Sequence, residues 1–386
     1  MMNSKKIKIQ DTTLRDGEQT PGIAFNLSNK LKIFEILEKI GVDTIEVGFP
    51  AASIEEEKII KNLCNKVSKK HTTICVFARS LEKDILIARE ATKSINNVKL
   101  QIVMPVSDLQ IEYSINKNKD QIIIQIKEII KLAKKYFNNI QFTAQDCTRA
   151  DIRFLKKSLK VAVQSGASSL CLPDTTGFST PLEYSKLIKE IKKQFVNNKE
   201  IKISAHCHND LGLATANTLA AIGSGADQIE CTIGGLGERA GNAPLEEIIA
   251  ILNLKYKDVL SKKINLKYFN RAKKLIESIS KIKMHDNKPI FGTNVFTHAS
   301  GMHQKAIIKN RKSFEIIKAE SFGIKGGIVR FGKLSGRSAL IKILNENNFS
   351  FKTINFEKVI PILKKEAEKK KILSFPDIKK IISMVK

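Results

Sequence analysis

Ile201-Lys-Ile-Ser-Ala-His206-Cys-His208-Asn-Asp210 is the stretch on which the fold turns, because it reads as a short strand whose carboxyl end carries chemistry. Side chains on an extended chain alternate in direction, so His206 and His208 point the same way and can bind one ion together. The same arrangement stands near the N-terminus, where the apolar run 7–11 leads into Asp11-Thr-Thr-Leu-Arg15-Asp16-Gly-Glu18-Gln. Here Asp16 offers an oxygen ligand and Arg15 an adjacent cation. Two imidazoles and a carboxylate, with water or substrate oxygens completing the shell, suit a Lewis-acid site that polarises a carbonyl. The chain therefore reads as an enzyme.

Outward from these segments, short β-type runs alternate with longer amphipathic ones. Strand candidates are 7–11, 44–47, 73–77, 99–104, 140–144, 169–173, 201–206 and 228–233. Between them, stretches such as 28–40, 54–67, 119–136, 151–165, 181–195 and 211–224 carry apolar residues at three- and four-residue spacing. Eight such units in about 250 residues predict an α/β protein, a (β/α)8 TIM barrel. Barrels of this kind place their chemistry at the carboxyl ends of the strands. The polar residues fall there: Arg15 and Asp16, Glu46, Gln145 and Asp146, Asp174 and Thr175, His206 and His208, and the loop 234–242. Past residue 275 the pattern changes. Segment 283–304 is loop-like, and 338–386 reads as two or three lysine-rich helices punctuated by Pro361 and Pro376. The expected division is a catalytic barrel over 1–275 and a linker with a C-terminal helical appendage over 276–386, without a second sheet.

Composition narrows the function classes. The 386 residues are 42% hydrophobic, enough for a sizeable core. A net charge of +27 raises nucleic acid or an anionic membrane as partners. Against both, the lysines are spread over nearly every helical segment, and no tract interleaves them with aromatics in a chain with 5 Tyr and no Trp. Solvated helix faces account for the excess, with attraction of a polyanionic substrate as a secondary benefit. Cys64, Cys75, Cys147, Cys171, Cys207 and Cys231 form no CxxC pair and read as reduced thiols, with Cys231 in the barrel core. No signal-peptide-like run and no window of membrane-spanning length is present in the sequence, so a soluble, cytoplasmic protein is expected. His71, His285 and His298 have no motif partner and take surface or capping roles. The glycines of 234–237 let the backbone approach the metal pocket, a plainer role than phosphate binding.

Several long motifs, in order, carry a family resemblance. Asp-Thr-Thr-Leu-Arg15-Asp16-Gly-Glu-Gln, Glu46-Val-Gly-Phe-Pro, His206-Cys-His208-Asn-Asp-Leu-Gly-Leu-Ala, Gly-Glu-Arg-Ala-Gly241-Asn242-Ala-Pro-Leu-Glu-Glu, Ser300-Gly-Met-His303-Gln and Gly332-Lys-Leu-Ser-Gly-Arg337 resemble the 2-isopropylmalate synthase and homocitrate synthase family. The resemblance implies a metal-dependent barrel that joins acetyl-CoA to a small 2-oxo acid by a Claisen-type condensation and then hydrolyses the thioester. It implies Asp16, His206 and His208 as metal ligands, with Asn242 completing or bordering the site. Mg or Mn is the expected ion, and Zn is compatible. Arg15 would stabilise negative charge on oxygen. Glu46 would either move a proton or hold Arg15 in an ion pair. Arg79, Gln101, Gln145 and Thr175 are the expected substrate-binding positions. His303 matches a histidine that reaches the neighbouring subunit's active site, which implies a homodimer.

The departures from the family pattern bear on the acceptor. Isopropylmalate synthases usually carry a His-Thr-Phe-Ile-Ala-Thr-Ser type segment after the fourth strand, a Glu-Asp pair after the fifth and an Asn before Pro-Asp-Thr. This chain has Gln101, Gln145 and Cys171 there, and its Pro105-Val-Ser107-Asp108 looks more like homocitrate synthases. 2-Oxoisovalerate is the first expectation and 2-oxoglutarate the alternative. Related lyases that cleave hydroxymethylglutaryl-CoA have a catalytic cysteine after Gly-Gly-Leu-Gly, where Glu238 stands here. A shortened form without the C-terminal leucine-binding domain, and so without leucine inhibition, is expected. A non-catalytic basic scaffold is the reading from another class, and the intact Asp16, His206, His208 and Asn242 set argues against it.

Overall fold

The computed structural model describes residues 6–67, 72–256 and 258–385, so His71 lies outside the described residues. The chain divides into two compact units, Met1–Lys283 and Met284–Lys386. The break falls past the expected 275 because the helix Phe269–Ser280 runs through that position, burying Phe269, Ala272 and Ile276 in the first unit.

In the first unit eight parallel strands close into a barrel in chain order: β1 (Lys8–Asp11), β2 (Thr44–Glu46), β3 (Thr73–Arg79), β4 (Val98–Pro105), β5 (Asn139–Gln145), β6 (Ser169–Asp174), β7 (Lys202–Cys207) and β8 (Gln228–Cys231). β1 closes the ring by pairing with β2 and with β8, where Lys8 faces Gln228 and Asp11 faces Cys231. The α/β barrel expected from the alternation is the observed fold.

Local signals set the helix ends. Asn26 accepts a hydrogen bond from the Asn29 N–H at the start of Leu27–Ile40, and Gly41, at φ 95°, ends that helix in the left-handed region that favours glycine. Thr180 and Glu183 form a reciprocal capping box for Pro181–Gln194, with proline in the first turn where its missing N–H costs nothing.

The barrel interior is more polar than the aliphatic layers usual for this fold. Gln10, Lys99, Gln101, Gln141, Ser204, Gln228 and Glu230 are all buried there and bond to one another. A connected buried network of this kind rigidifies the core. Lys30 ties the two loops that carry the site's charged residues. Fully buried, it donates to the Leu14 and Val47 carbonyls and pairs with Glu18 at 2.8 Å and Glu56 at 2.5 Å.

The second unit holds the helices Gly301–Lys309, Arg337–Glu346, Phe356–Lys370 and Phe375–Met384. Contrary to expectation it also contains a small parallel sheet, β9 (Thr297–His298) with β10 (Ile328–Val329). Pro376 starts a helix as expected, but Pro361 sits inside Phe356–Lys370 and ends nothing. The hydrogen bond it forgoes is offset by burial of the flanking Val359 and Leu363 in a core with Phe331, Leu340, Leu344 and Ile378. His298 is buried with Nε2 3.2 Å from Glu315, a structural role. His303 is exposed and stacks on Phe314 at 3.9 Å. Among the described residues no helix is long and apolar enough to cross a membrane.

Candidate active site

The loop after β1 is a tight turn in which the Thr12 carbonyl accepts from the N–H groups of Arg15, Asp16 and Gly17. It presents Arg15 and Asp16 at the carboxyl end of the barrel. The Arg15 guanidinium lies 3.0 Å from Glu46, donates to Asp16 at 2.8 Å and stands over the Phe77 ring at 4.9 Å. Burial works against its charge, but Glu46 and Asp16 raise its pKa further, so it is always cationic. Glu46 is fully buried, with one oxygen facing Arg15 and the other accepting from Thr12. Burial lifts its carboxyl and Arg15 opposes that lift. Its Oε1 is ion-paired with Arg15 but accepts no hydrogen bond, so the contact orients Arg15 and leaves that oxygen's lone pairs unfilled.

Asp11, at the end of β1, is the buried acid that this turn leaves short of partners. Its Oδ1 accepts from the Thr13 N–H at 2.9 Å, and its Oδ2 has no partner. Burial pushes the carboxyl up to about 7. A carboxyl raised in this way above its unfolded value of about 3.9 lowers stability as pH climbs from about 4 to about 7, and by a constant amount above that. Asp11→Asn keeps an acceptor for Thr13 and removes the ionisation. Urea denaturation is expected to show the variant gaining on the order of 3 kcal/mol over the parent between pH 4 and pH 8. An unchanged pH dependence would contradict the assignment.

β7 delivers His206 and the residue beyond its end delivers His208, both on the same side as expected. Their Nε2 atoms are 3.1 Å apart, and Asp16 Oδ2 lies 3.5 Å from the first and 4.0 Å from the second. These three buried side chains form a group able to hold a metal ion. Asn242 donates from Nδ2 to Asp16 at 2.9 Å, while its buried Oδ1 has no partner. Gly237 makes that approach possible: at φ 157°, a Cβ there would meet Asn242 Nδ2 at 2.3 Å.

The residues fit a divalent cation. Ligand atoms about 2.1 Å from one ion and at right angles to each other stand about 3 Å apart, close to the spacing here. Two imidazole nitrogens facing each other at 3.1 Å need a shared proton or cation between them. Burial disfavours charge on both rings. Glu230 and Asp16 still raise the pKa of His206, whereas His208, beside His206, is pushed down to about 4. Burial also opposes ionisation of Asp16, but Arg15 and the two histidines hold its carboxyl well below the usual range.

The cavity over this group has a volume of about 190 Å³. Of the expected site residues, Arg15, Asp16, Gln101, Gln145, Thr175, His206 and His208 line it. Gln101 Oε1 accepts from Gln10 at 3.0 Å and Gln141 at 2.9 Å, which leaves its amide N–H groups to meet a substrate. Arg79 departs from expectation. Its guanidinium is held by Asp84 at 2.8 and 3.1 Å and lies over Phe49, outside the cavity lining. The acid five residues on was the signal for that pairing. Phe77, Val103, Thr143 and Glu230 also line the cavity and carry no motif. Glu230 alone left a trace in the sequence, as an acid inside an apolar strand.

Residues 6–276 match the HMGL-like family, and residues 290–371 match the homocitrate synthase post-HMGL domain-like family. The chain is 39% identical to 2-isopropylmalate synthase 1 of Caldanaerobacter subterraneus subsp. tengcongensis, covering 99% of this chain and 96% of the relative. It is 39% identical to the 2-isopropylmalate synthase of Dictyoglomus turgidum, covering 98% and 75%, and 38% identical to that of Pyrococcus furiosus, covering 98% and 76%. In fold it is similar to the HMG-CoA lyase of Bacillus subtilis, with a TM-score of 0.64 at 20% identity over 74% of this chain and 97% of that one. The lyase of Pseudomonas aeruginosa gives 0.63 at 19% identity over 74% and 96%. With the barrel, the ordered motifs and relatives matched along nearly its whole length, the chain belongs to the HMGL-like family and, within it, to the 2-isopropylmalate synthase and homocitrate synthase group.

Proposed function

We propose that the protein is an acyltransferase that condenses acetyl-CoA with 2-oxoisovalerate and hydrolyses the thioester, forming 2-isopropylmalate in leucine biosynthesis. The observation that carries the choice of acceptor is the character of the cavity wall. Phe77, Val103, Cys171 and Pro173 give it an apolar side suited to a branched alkyl group. Its two arginines are both engaged by carboxylates, Arg15 by Asp16 and Glu46 and Arg239 by Asp210. Among the described residues the lining offers no free cation for the second carboxylate of 2-oxoglutarate.

Asp16, His206 and His208, with Asn242 bonded to Asp16, would hold a divalent ion, Mg or Mn by the family resemblance, with Zn compatible with the two imidazoles. Such an ion supplies Lewis acidity toward the acceptor's carbonyl. Arg15, fixed by two carboxylates, stabilises the negative charge that develops on oxygen during attack. Gln101 donates from its amide, and Thr175 Oγ1, which accepts from the Asp146 N–H at 2.9 Å, directs its own proton elsewhere. Gln145 cannot take a proton, and Glu46 is tied to Arg15 and Thr12. Glu238, an exposed acid at the cavity, is the candidate for taking a proton from the acetyl methyl group, with His303 of the partner subunit assisting in a homodimer. A role in amino-acid biosynthesis supports a cytoplasmic location.

The match of 290–371 to a homocitrate synthase domain favours 2-oxoglutarate as the second reading. The 105–108 segment carries less weight for it: Ser107 donates to Asp146 at 2.5 Å and does not line the cavity. Coenzyme A release should be compared across 2-oxoisovalerate, 2-oxoglutarate and pyruvate. A kcat/KM at least tenfold higher for 2-oxoisovalerate is expected, and preference for 2-oxoglutarate would replace this reading with the second.

A further inference from the structure

We propose that Glu230 is a positioning residue for the metal site, and that Gln141, Ser204, Gln228 and Lys99 aim it through the barrel core. This rests on Asp16, His206 and His208 holding the ion.

His206 and Glu230 are direct neighbours across the β7 and β8 register, and both are buried. Glu230 Oε2 lies 3.2 Å from His206 Nδ1. Its other oxygen is already taken: Gln141 Nε2 and Ser204 Oγ each donate to Oε1 at 2.8 Å. Gln228 stands behind them. Its Nε2 donates to Gln141 at 3.1 Å and to Ser204 at 2.9 Å, and its Oε1 accepts from the buried Lys99 at 2.7 Å. The carboxylate is thereby clamped on one oxygen with the other turned to the ring.

The consequence is a fixed tautomer. An ionised carboxylate accepts and does not donate, so His206 carries its proton on Nδ1 and presents the Nε2 lone pair to Asp16 and His208. Carboxylates in this position orient a ligating histidine and raise its basicity, and removing one typically weakens metal affinity 10- to 100-fold. His208 has no such support, because its buried Nδ1 is without a partner. His206 is therefore the imidazole that the fold holds in place before the metal arrives. Lys99, at the far end of the column, supplies the countercharge that lets a carboxylate sit in the barrel core.

The test is calorimetric titration of the full-length protein, cleared of metal by chelation, with Mn2+ and separately with Zn2+. Glu230→Gln is expected to weaken binding at least tenfold while the metal-free protein melts within a few degrees of the parent. Ser204→Ala leaves Glu230 and His206 intact but releases one clamp, and should weaken binding several-fold. It decides the matter if Glu230→Gln does not fold. Parent-like affinity in either folded variant overturns the inference while leaving the metal site in place. Failure of the parent to bind either ion overturns the metal site and this inference together.

Discussion

Asp16→Asn is expected to lower kcat/KM by on the order of 1,000-fold or more. The carboxylate is the one anionic member of the three-residue group, and its Oδ2 lies within 4.0 Å of both histidine nitrogens. The change does more than remove a charge. An amide must either turn its NH2 toward Arg15, which now donates to Oδ2 at 2.8 Å, or toward Asn242 Nδ2, which donates to Oδ1 at 2.9 Å. Each choice sets donor against donor in a buried place. Metal affinity and turnover should fall together, read by Mn2+ titration and by coenzyme A release. A variant within tenfold of the parent in activity would remove Asp16 from the site.

Arg15→Lys is expected to reduce kcat by about 100- to 1,000-fold with a much smaller change in KM. The substitution keeps the charge and loses the shape. The guanidinium reaches Glu46 from Nε and Asp16 from one terminal nitrogen while its plane covers Phe77. A single ammonium cannot span both carboxylates, and it leaves one of them buried without a full partner. The split between kcat and KM separates loss of transition-state stabilisation from loss of substrate binding. Equal damage to both parameters, or a kcat within tenfold of the parent, would contradict the role given to Arg15.

What the sequence made legible follows from where the information sits. The barrel was readable because short β-type runs alternate with longer amphipathic ones and end in polar residues, so fold and site announce each other at positions such as His206 and Asp16. The two histidines needed only the alternation of an extended chain. The polar column through the barrel was not readable. Gln10, Lys99, Gln141, Gln228 and Glu230 come from β1, β4, β5 and β8, and only closure of the ring brings them within hydrogen-bond reach. Arg79, expected at the substrate, is held instead by Asp84, whose carboxylate lies five residues on in the chain. Pro361 was misread because helix-breaking is a tendency of the local chain, and burial of its neighbours overrides it. Glu46 stood between two roles in the sequence, and the fold adds its ion pair with Arg15 and its hydrogen bond from Thr12.

The central claim is that one divalent ion held by Asp16, His206 and His208 serves a condensation of acetyl-CoA with 2-oxoisovalerate. The most direct measurement is coenzyme A release by the full-length protein, shown metal-free by elemental analysis, as Mn2+ is added back and the product is identified by mass. No turnover before addition, activity saturating at one ion per chain, and 2-isopropylmalate as product are the predicted results. Full activity in the metal-free protein, or no coenzyme A release with any 2-oxo acid at saturating Mn2+, would contradict the account.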